Sequence, residues 1–372
     1  MGRNCRRAFG RPHRKTRPIL QSLDYFFALA MTSQRKPDKG RKPVEYRAMF
    51  ENIPYFANEL PADLEQVNAA IREQIQSDVV LIRQIGEHII GAGGKRLRPI
   101  VAILSGKALG YDEPLLYRQA AMVEFIHTST LLHDDVVDQS DLRRGRPTAN
   151  SAFGNAAAVL VGDFFYTRAF QLMVKADSMA VMRVMSDATN IIAAGEVMQL
   201  MNIGDASLDE SRYLEVIYRK TAKLFEAACQ VAAIIAGAKP EAERALALYG
   251  AKVGSAFQIV DDVLDYAGDV AQTGKNVGDD LAEGKVTLPL IYLLKNGSDE
   301  AKRDVKAALE KADRSAFELI HAHVANSGAL PYCLSFAEKI AQEAIEALNA
   351  LDANPYVETL RALAIESVKR AR

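Results

Sequence analysis

Leu132-His133-Asp134-Asp135-Val136-Val137-Asp138 and Ile259-Val260-Asp261-Asp262-Val263-Leu264-Asp265 are two versions of one motif, each set inside an apolar run. On an α-helix, residues four apart share a face. Asp134 therefore projects with Asp138 and Asp261 with Asp265, while Asp135 and Asp262 flank those pairs. Each motif can present a claw of carboxylate oxygens. Two such claws facing each other would repel strongly unless cations or a cationic ligand lay between them. The helices around both motifs are apolar on nearly every face, which solvent would not tolerate. They belong at the centre of a bundle, ringed by more amphipathic helices.

Working outward, Leu64, Val67, Ile71, Ile75, Val79, Ile82 and Ile85 recur at three- and four-residue spacing, which predicts one amphipathic helix broken by the segment 91–99. Further helical patterns cover 100–109, a stretch from Pro114 through the first motif, 156–173, 176–202, 208–236, 241–267, 285–295, 298–311, 313–326, 333–349 and 355–370. No strand alternation persists, so the expected fold class is all-α, a large helical bundle around a central cavity. Nothing after residue 60 marks a boundary, and 49–372 is expected to form a single all-helical domain.

The chain has 372 residues, 49% hydrophobic and 25% charged, with a formal net charge of -1. That composition is soluble and globular, and it argues against nucleic acid as a partner. Cys5, Cys229 and Cys333 have neither metal-ligand spacing nor the number for a disulfide framework, which points to a reducing cytoplasm. Before Asp38 the only acid is Asp24, against nine lysines and arginines. Residues 1–48 are accordingly expected to be a disordered basic extension outside the fold, with Met31 or Met49 as an alternative start and a targeting role as the second reading. The apolar stretch 26–31 is too short for a membrane span.

Asp141, Arg143 and Arg144 follow the first claw and juxtapose a cation site with guanidinium forks suited to phosphate. A solvated loop would account for the arginines alone, but not for six carboxylates in two apolar helices. Gly91-Ala92-Gly93-Gly94-Lys95-Arg96-Leu97-Arg98-Pro99 is a flexible loop presenting amides near three cations, and it lacks the pattern of a nucleotide P-loop. His127 lies two turns before Asp134 on roughly the same face. Lys220 and Thr221 interrupt an apolar pattern, Lys275 and Lys285 flank Gly278-Asp279-Asp280, and Gln258 precedes the second claw. Taken singly, these are surface lysines and a structural histidine; taken together, they can neutralise a diphosphate. Magnesium, which binds through a few carboxylates plus substrate phosphates, is the cation that fits.

The combination of both acidic motifs, the arginine pair, the Gly-Lys-Arg-x-Arg-Pro loop, Lys-Thr and the segment around Lys285 resembles the trans-isoprenyl diphosphate synthases. The motifs run from Gly91 to Lys285, and the likeness as a fold extends over about 50–372. The resemblance implies that Asp134, Asp135, Asp138, Asp261, Asp262 and Asp265 bind magnesium, three ions once diphosphate is present. It implies that Arg143, Lys220 and Lys285, aided by Thr221, Gln258 and Lys275, hold an allylic diphosphate such as farnesyl diphosphate. Lys95, Arg98, His127 and Arg144 would bind isopentenyl diphosphate. Departure of the allylic diphosphate would leave a carbocation for the isopentenyl double bond to attack, and the family is usually homodimeric.

Behind the first claw, Thr130 and Ser129 are small, leaving a passage toward Ile126 and Met122 for a growing tail. By the resemblance this implies a long product, octaprenyl to decaprenyl diphosphate for a quinone side chain, with at most peripheral membrane contact. The alternatives are a short-chain farnesyl or geranylgeranyl diphosphate synthase, closed off by Phe125, Met122 or Phe153, a terpene cyclase, and a catalytically silent helical scaffold. The scaffold gives no reason for paired carboxylates in apolar helices, whose desolvation is costly without a partner or a metal.

Overall fold

The structure, a computed structural model, describes residues 53–143, 145–267, 277–312 and 314–369. The extension 1–48, Arg144 and Lys275 lie outside the described residues. Among the described residues the chain is helical apart from one antiparallel pair, Leu142–Arg143 with Arg146–Pro147. Gly145 turns this hairpin with a φ of 69°, a conformation that favours glycine.

The two acidic motifs end two long helices, Pro114–Val137 and Pro240–Ala267. Each opens on proline, whose missing N–H falls where a helix has no partner to offer. Pro114–Val137 packs along Asn155–Val174, with Leu97–Ala108 and Lys223–Ile235 also against it. Pro240–Ala267 packs against Lys223–Ile235 and Ala329–Ala347 and passes through both hydrophobic cores. Its Leu246, Tyr249 and Val253 join the first core; Ile259, Val260, Val263 and Tyr266 join the second. Full burial of each such aliphatic side chain contributes about 1.5–3 kcal/mol, so this helix ties the two cores together. Glycine sets the closest approaches. A Cβ at Gly250 would lie 2.4 Å from the Phe225 carbonyl oxygen, and one at Gly162 would lie 2.4 Å from Nε2 of His133.

The outer helices are amphipathic as expected. Asp299–Lys311 turns Ala301, Val305, Ala308 and Leu309 inward, is capped by the Ser298 hydroxyl, and has acids in its first turn and Lys311 in its last. Three local expectations need correction. The pattern from Leu64 to Ile85 is two helices, Leu60–Gln74 and Val80–Gly91. Ser77 accepts from the Val79 amide at 3.2 Å and offers the backbone a turn in place of the helix, which leaves Val79 and Val80 exposed. The helix after the glycine loop starts at Leu97, because Pro99 sits within its first turn. The span 208–236 is Glu210–Ile217 and Lys223–Ile235, joined by a π-helical segment, Tyr218–Ala222.

Candidate active site

The ends of both acidic helices open into a cavity of about 360 Å³. Asp134 and Asp138 line it from one helix, and Asp261, Asp262 and Asp265 from the other. Two lysines pair with the first set. Lys285 Nζ lies 3.0 Å from Asp138 Oδ2 and also pairs with Glu283. Lys220 Nζ lies 2.6 Å from Glu196 Oε2 and 3.8 Å from Asp134 Oδ2. Lys220 and Thr221 sit on the π segment, whose wider turn carries them toward the cavity.

The middle aspartates behave differently from their neighbours. One residue along a helix rotates a side chain by about 100°, and this takes Asp135 out of the cavity to 1% exposure. Its Oδ1 accepts from Arg143 Nε at 2.8 Å and from the Arg143 terminal nitrogen at 2.7 Å, a fork that aims the guanidinium. Asp262, 4% exposed, accepts from Tyr213 Oη at 2.6 Å and from Gln258 Nε2 at 2.8 Å. Gln258, expected to donate to a ligand, lines the cavity, where it gives one amide N–H to Asp262 and its carbonyl oxygen accepts from Thr221 Oγ1 at 2.9 Å. Asp265 accepts from the Asp280 amide at 3.2 Å.

At the other end of the cavity the glycine-rich loop delivers three cations. Arg96 takes a left-handed conformation with φ of 51° and pairs with buried Glu124. Arg98 stacks over the Phe225 ring at 4.5 Å and donates to His127 Nε2 at 3.2 Å, so that nitrogen must accept. Lys95 lies 5.9 Å over the Phe257 ring. Lys95, Arg98 and His127, selected from sequence, are thus brought together against two phenylalanines. His88 Nε2 lies 2.8 Å from the Pro147 carbonyl and Arg146 donates to the Gly91 carbonyl at 3.2 Å, which fastens the arginine hairpin to the same loop.

Thr130 lines the cavity, but the passage expected past it is closed. Ser129 turns to the neighbouring helix and donates to the Gly162 carbonyl at 2.8 Å, and Ile126 and Met122 form a packed layer at 1% and 0% exposure. The approach of the two helices at Gly162 explains this turn.

Electrostatically, the carboxylates are too many for their surroundings. Burial pushes Asp262 up to about 8, with Asp280 and Asp261 adding to the shift and Tyr213 and Gln258 opposing it. Burial likewise brings Glu196 to about 7, against the attraction of Lys220 and with Asp134 adding to the shift. Asp134 is raised by burial, opposed by Lys220. For Lys285 burial works against the charge, but Asp280, Glu283 and Asp138 outweigh it and raise the pKa. The donor set is oxygen only, the chemistry of a hard divalent cation, and the crowded carboxylates fit one. Among the described residues no three of these groups come close enough to hold an ion alone.

Sequence reasoning missed Glu196, Tyr213, Glu124 and Glu283. Glu196 carried the signal that flagged the motifs, a carboxylate inside the apolar run from Ile191 to Met198. The tyrosine had none, because its role depends on a contact across helices.

The sequence matches the polyprenyl synthetase family over residues 79–324. It is 52% identical to octaprenyl diphosphate synthase of Escherichia coli over 317 residues, 85% of this chain and 98% of that protein. It is 44% identical to the all-trans-nonaprenyl-diphosphate synthase (geranyl-diphosphate specific) of Rhodobacter capsulatus, covering 80% and 92% of the two chains. The fold matches the crystal structure of a polyprenyl synthase from Caulobacter crescentus complexed with calcium and isoprenyl diphosphate, with a TM-score of 0.82 and 41% identity over 89% of this chain and all of that one. With the paired acidic helices and their cationic loop already in place, these likenesses make the chain a member of the polyprenyl synthetase family.

Proposed function

We propose that this trans-prenyltransferase is magnesium-dependent and adds isopentenyl diphosphate head to tail to an allylic diphosphate such as farnesyl diphosphate, ending at octaprenyl to decaprenyl diphosphate. The observation that carries the reading is that the outer aspartates of both motifs line one cavity together with Lys220 and Lys285, which pair with the first motif. Asp134, Asp138, Asp261 and Asp265 would hold the metal. Asp135 and Asp262 would orient their neighbours. Bound magnesium supplies Lewis-acid stabilisation of the charge that collects on the departing diphosphate.

The chain's own residues do the rest. Arg143, Lys220 and Lys285 take the allylic diphosphate oxygens, with Lys275 as a further cation from outside the described residues. Lys95, Arg98 and His127, with Arg144, hold isopentenyl diphosphate by its head group. Phe225 and Phe257 wall the space between and exclude water from the reacting carbons. The C–O bond of the allylic partner breaks with its electron pair going to the diphosphate, the isopentenyl double bond forms the new C–C bond, and the proton lost from the adduct passes to the departing diphosphate.

A second copy of the chain is the proposed cover for an exposed apolar face. Leu160 and Val174 on Asn155–Val174 and Val197, Leu200 and Met201 on Met179–Met201 are all more than half exposed. Asn155–Val174 is also the one helix among the described residues long and apolar enough to cross a membrane. A self-complementary dimer accounts for that face without a span. The reading keeps the protein cytoplasmic, with peripheral membrane contact when its product leaves.

The closed layer behind Thr130 favours a second reading, a short-chain product, if Ile126 and Met122 stay in place. Incubation with farnesyl diphosphate, radiolabelled isopentenyl diphosphate and magnesium decides between them by chromatography of the dephosphorylated products. About forty to fifty carbons supports the long-chain reading, about fifteen to twenty supports the short one, and no incorporation refutes both.

A further inference from the structure

We infer that Tyr213, Thr221 and Gln258 form a positioning relay: they fix the middle carboxylate of the second acidic motif and through it tie the Lys220 segment to the Asp261 and Asp265 pair. The contacts run in one direction. Thr221 Oγ1 donates to Gln258 Oε1 at 2.9 Å, Gln258 Nε2 donates to Asp262 Oδ1 at 2.8 Å, and Tyr213 Oη donates to Asp262 Oδ2 at 2.6 Å. With Asp262 ionised, a flipped Gln258 amide would set its oxygen against a carboxylate oxygen, so the order of donors belongs to the charged carboxylate. Each oxygen of Asp262 is held by a different helix, and the carboxylate can neither rotate nor tilt without breaking one bond.

The π segment makes this possible. In an uninterrupted α-helix, residues eight apart stand about 80° out of phase. The wider turn of five π residues removes roughly that offset, so Tyr213 and Thr221 reach the same neighbouring helix, at positions 262 and 258, one turn apart. Lys220 precedes Thr221, so anchoring Thr221 fixes where the Lys220 stem departs toward Glu196 and Asp134. Tyr213 is 3% exposed at the cavity wall and spends its hydroxyl proton on Asp262, so its effect on the site passes through that carboxylate and makes it a positioning residue.

The inference rests on the diphosphate reading above, and its test separates the two. The dimensions to measure are calorimetric binding of inorganic diphosphate in the presence of magnesium, the midpoint of thermal unfolding, and KM for each substrate. Tyr213→Phe keeps the ring and removes the donor. It should lower diphosphate affinity by about tenfold, as loss of an outer hydrogen-bond partner does, and raise KM for the allylic substrate while leaving KM for isopentenyl diphosphate within about twofold. Because Thr221 acts through Gln258, Thr221→Val should weaken diphosphate binding in the wild-type background and have no further effect once Gln258→Leu is in place. This series keeps the question open to experiment even if Tyr213→Phe unfolds. Unchanged diphosphate affinity in Tyr213→Phe, or a full effect of Thr221→Val in the Gln258→Leu background, overturns the relay. Absence of magnesium-dependent diphosphate binding by the wild-type protein overturns the functional reading itself.

Discussion

Replacing Gly195 with alanine would push on the Lys220 segment from behind. Gly195 lies on Met179–Met201 next to Glu196, and a Cβ there would meet Arg219 Cβ at 2.7 Å, the Lys220 amide nitrogen at 2.9 Å and the Arg219 carbonyl carbon at 3.0 Å. Two of these three atoms are backbone and cannot rotate aside. Restoring ordinary contact requires the helix and the π segment to part by roughly 0.5–0.7 Å, and overpacking of this kind costs about 1–3 kcal/mol. Alanine returns up to about 1 kcal/mol in helix propensity. The net loss of about 0–2 kcal/mol lowers the unfolding temperature by only a few degrees in a protein of this size. Turnover should suffer more. The same displacement moves Lys220 relative to Glu196, now 2.6 Å away, and Asp134, now 3.8 Å away. Misplacement by about 1 Å can cost a hundredfold, so a fall in kcat of about tenfold is expected. Steady-state incorporation of labelled isopentenyl diphosphate, run beside calorimetric melting, measures both quantities. Gly91→Ala is the control, since a Cβ there meets nothing within 4 Å. A Gly195→Ala protein with wild-type kcat and wild-type allylic KM would refute the argument that this helix spacing sets the lysine.

The two kinds of aspartate should separate in stability. Asp134 is raised by burial, so Asp134→Asn should unfold at equal or higher urea concentration than wild type while losing nearly all activity, whereas Asp135→Ala strands Arg143 and should cost about 3 kcal/mol; the reverse ranking would sink the assignment. Far from the cavity, Asp63 is 4% exposed and accepts from Lys107 at 2.9 Å, Tyr55 at 2.7 Å and Tyr117 at 2.9 Å. Asp63→Ala should destabilise by about 3 kcal/mol or more in urea titration, and Lys107→Met in the same chain should recover part of the loss. Burial pushes the Cys229 thiol up to about 12 and raises Tyr249 well above its ordinary value. Acids whose folded pKa is raised stabilise the protein below their unfolded pKa and lose that contribution as pH rises. The urea midpoint should therefore decline from about pH 9 upward, with each such group contributing about 1.4 kcal/mol per pH unit. Iodoacetamide at pH 8 should leave Cys229 unmodified until denaturant is added, and rapid labelling of the native protein would count against this burial.

Most of the fold was legible because the helices are long and their apolar positions repeat. The break at 75–79 was missed because the hydrophobic spacing runs on through it, while the turn is made by a short-range bond from Ser77 that periodicity does not register. The π segment was invisible for a related reason. One extra residue per turn leaves the apolar pattern of 208–236 nearly intact, yet it decides where Lys220 and Thr221 point. The outer aspartates could be read from i and i+4 spacing. The partners of the middle ones could not, since Tyr213 stands 49 positions from Asp262 in sequence. Gln258 lines the cavity as its adjacency to the motif suggested, but its bond to Thr221, 37 positions away, was not legible in sequence.

Charge along the cavity argues for which substrate travels with metal. Among the described residues, ten carboxylates and six lysines or arginines line it, and they are not mixed evenly. At the glycine-loop end Lys95, Arg96 and Arg98 face a single carboxylate, Glu124, which is already paired with Arg96. A diphosphate can enter that end unaccompanied, because the excess there is positive. At the other end stand nine carboxyl groups, and even with the raised Asp262 and Glu196 set aside, the other seven outnumber Arg143, Lys220 and Lys285. A diphosphate brought there alone would meet net repulsion in a partly desolvated space, where Coulomb terms are several times larger than in water. Only a ligand that arrives with its own cations reverses the sign. Until then Lys220 and Lys285 are paired with Asp134, Glu196, Asp138 and Glu283, and the same two ammonium groups can turn to phosphate once cations neutralise Asp134 and Asp138. Under the proposed function, isopentenyl diphosphate docked by the loop without metal would keep its diphosphate, while the allylic partner, docked where metal is needed, would be the one positioned to lose it.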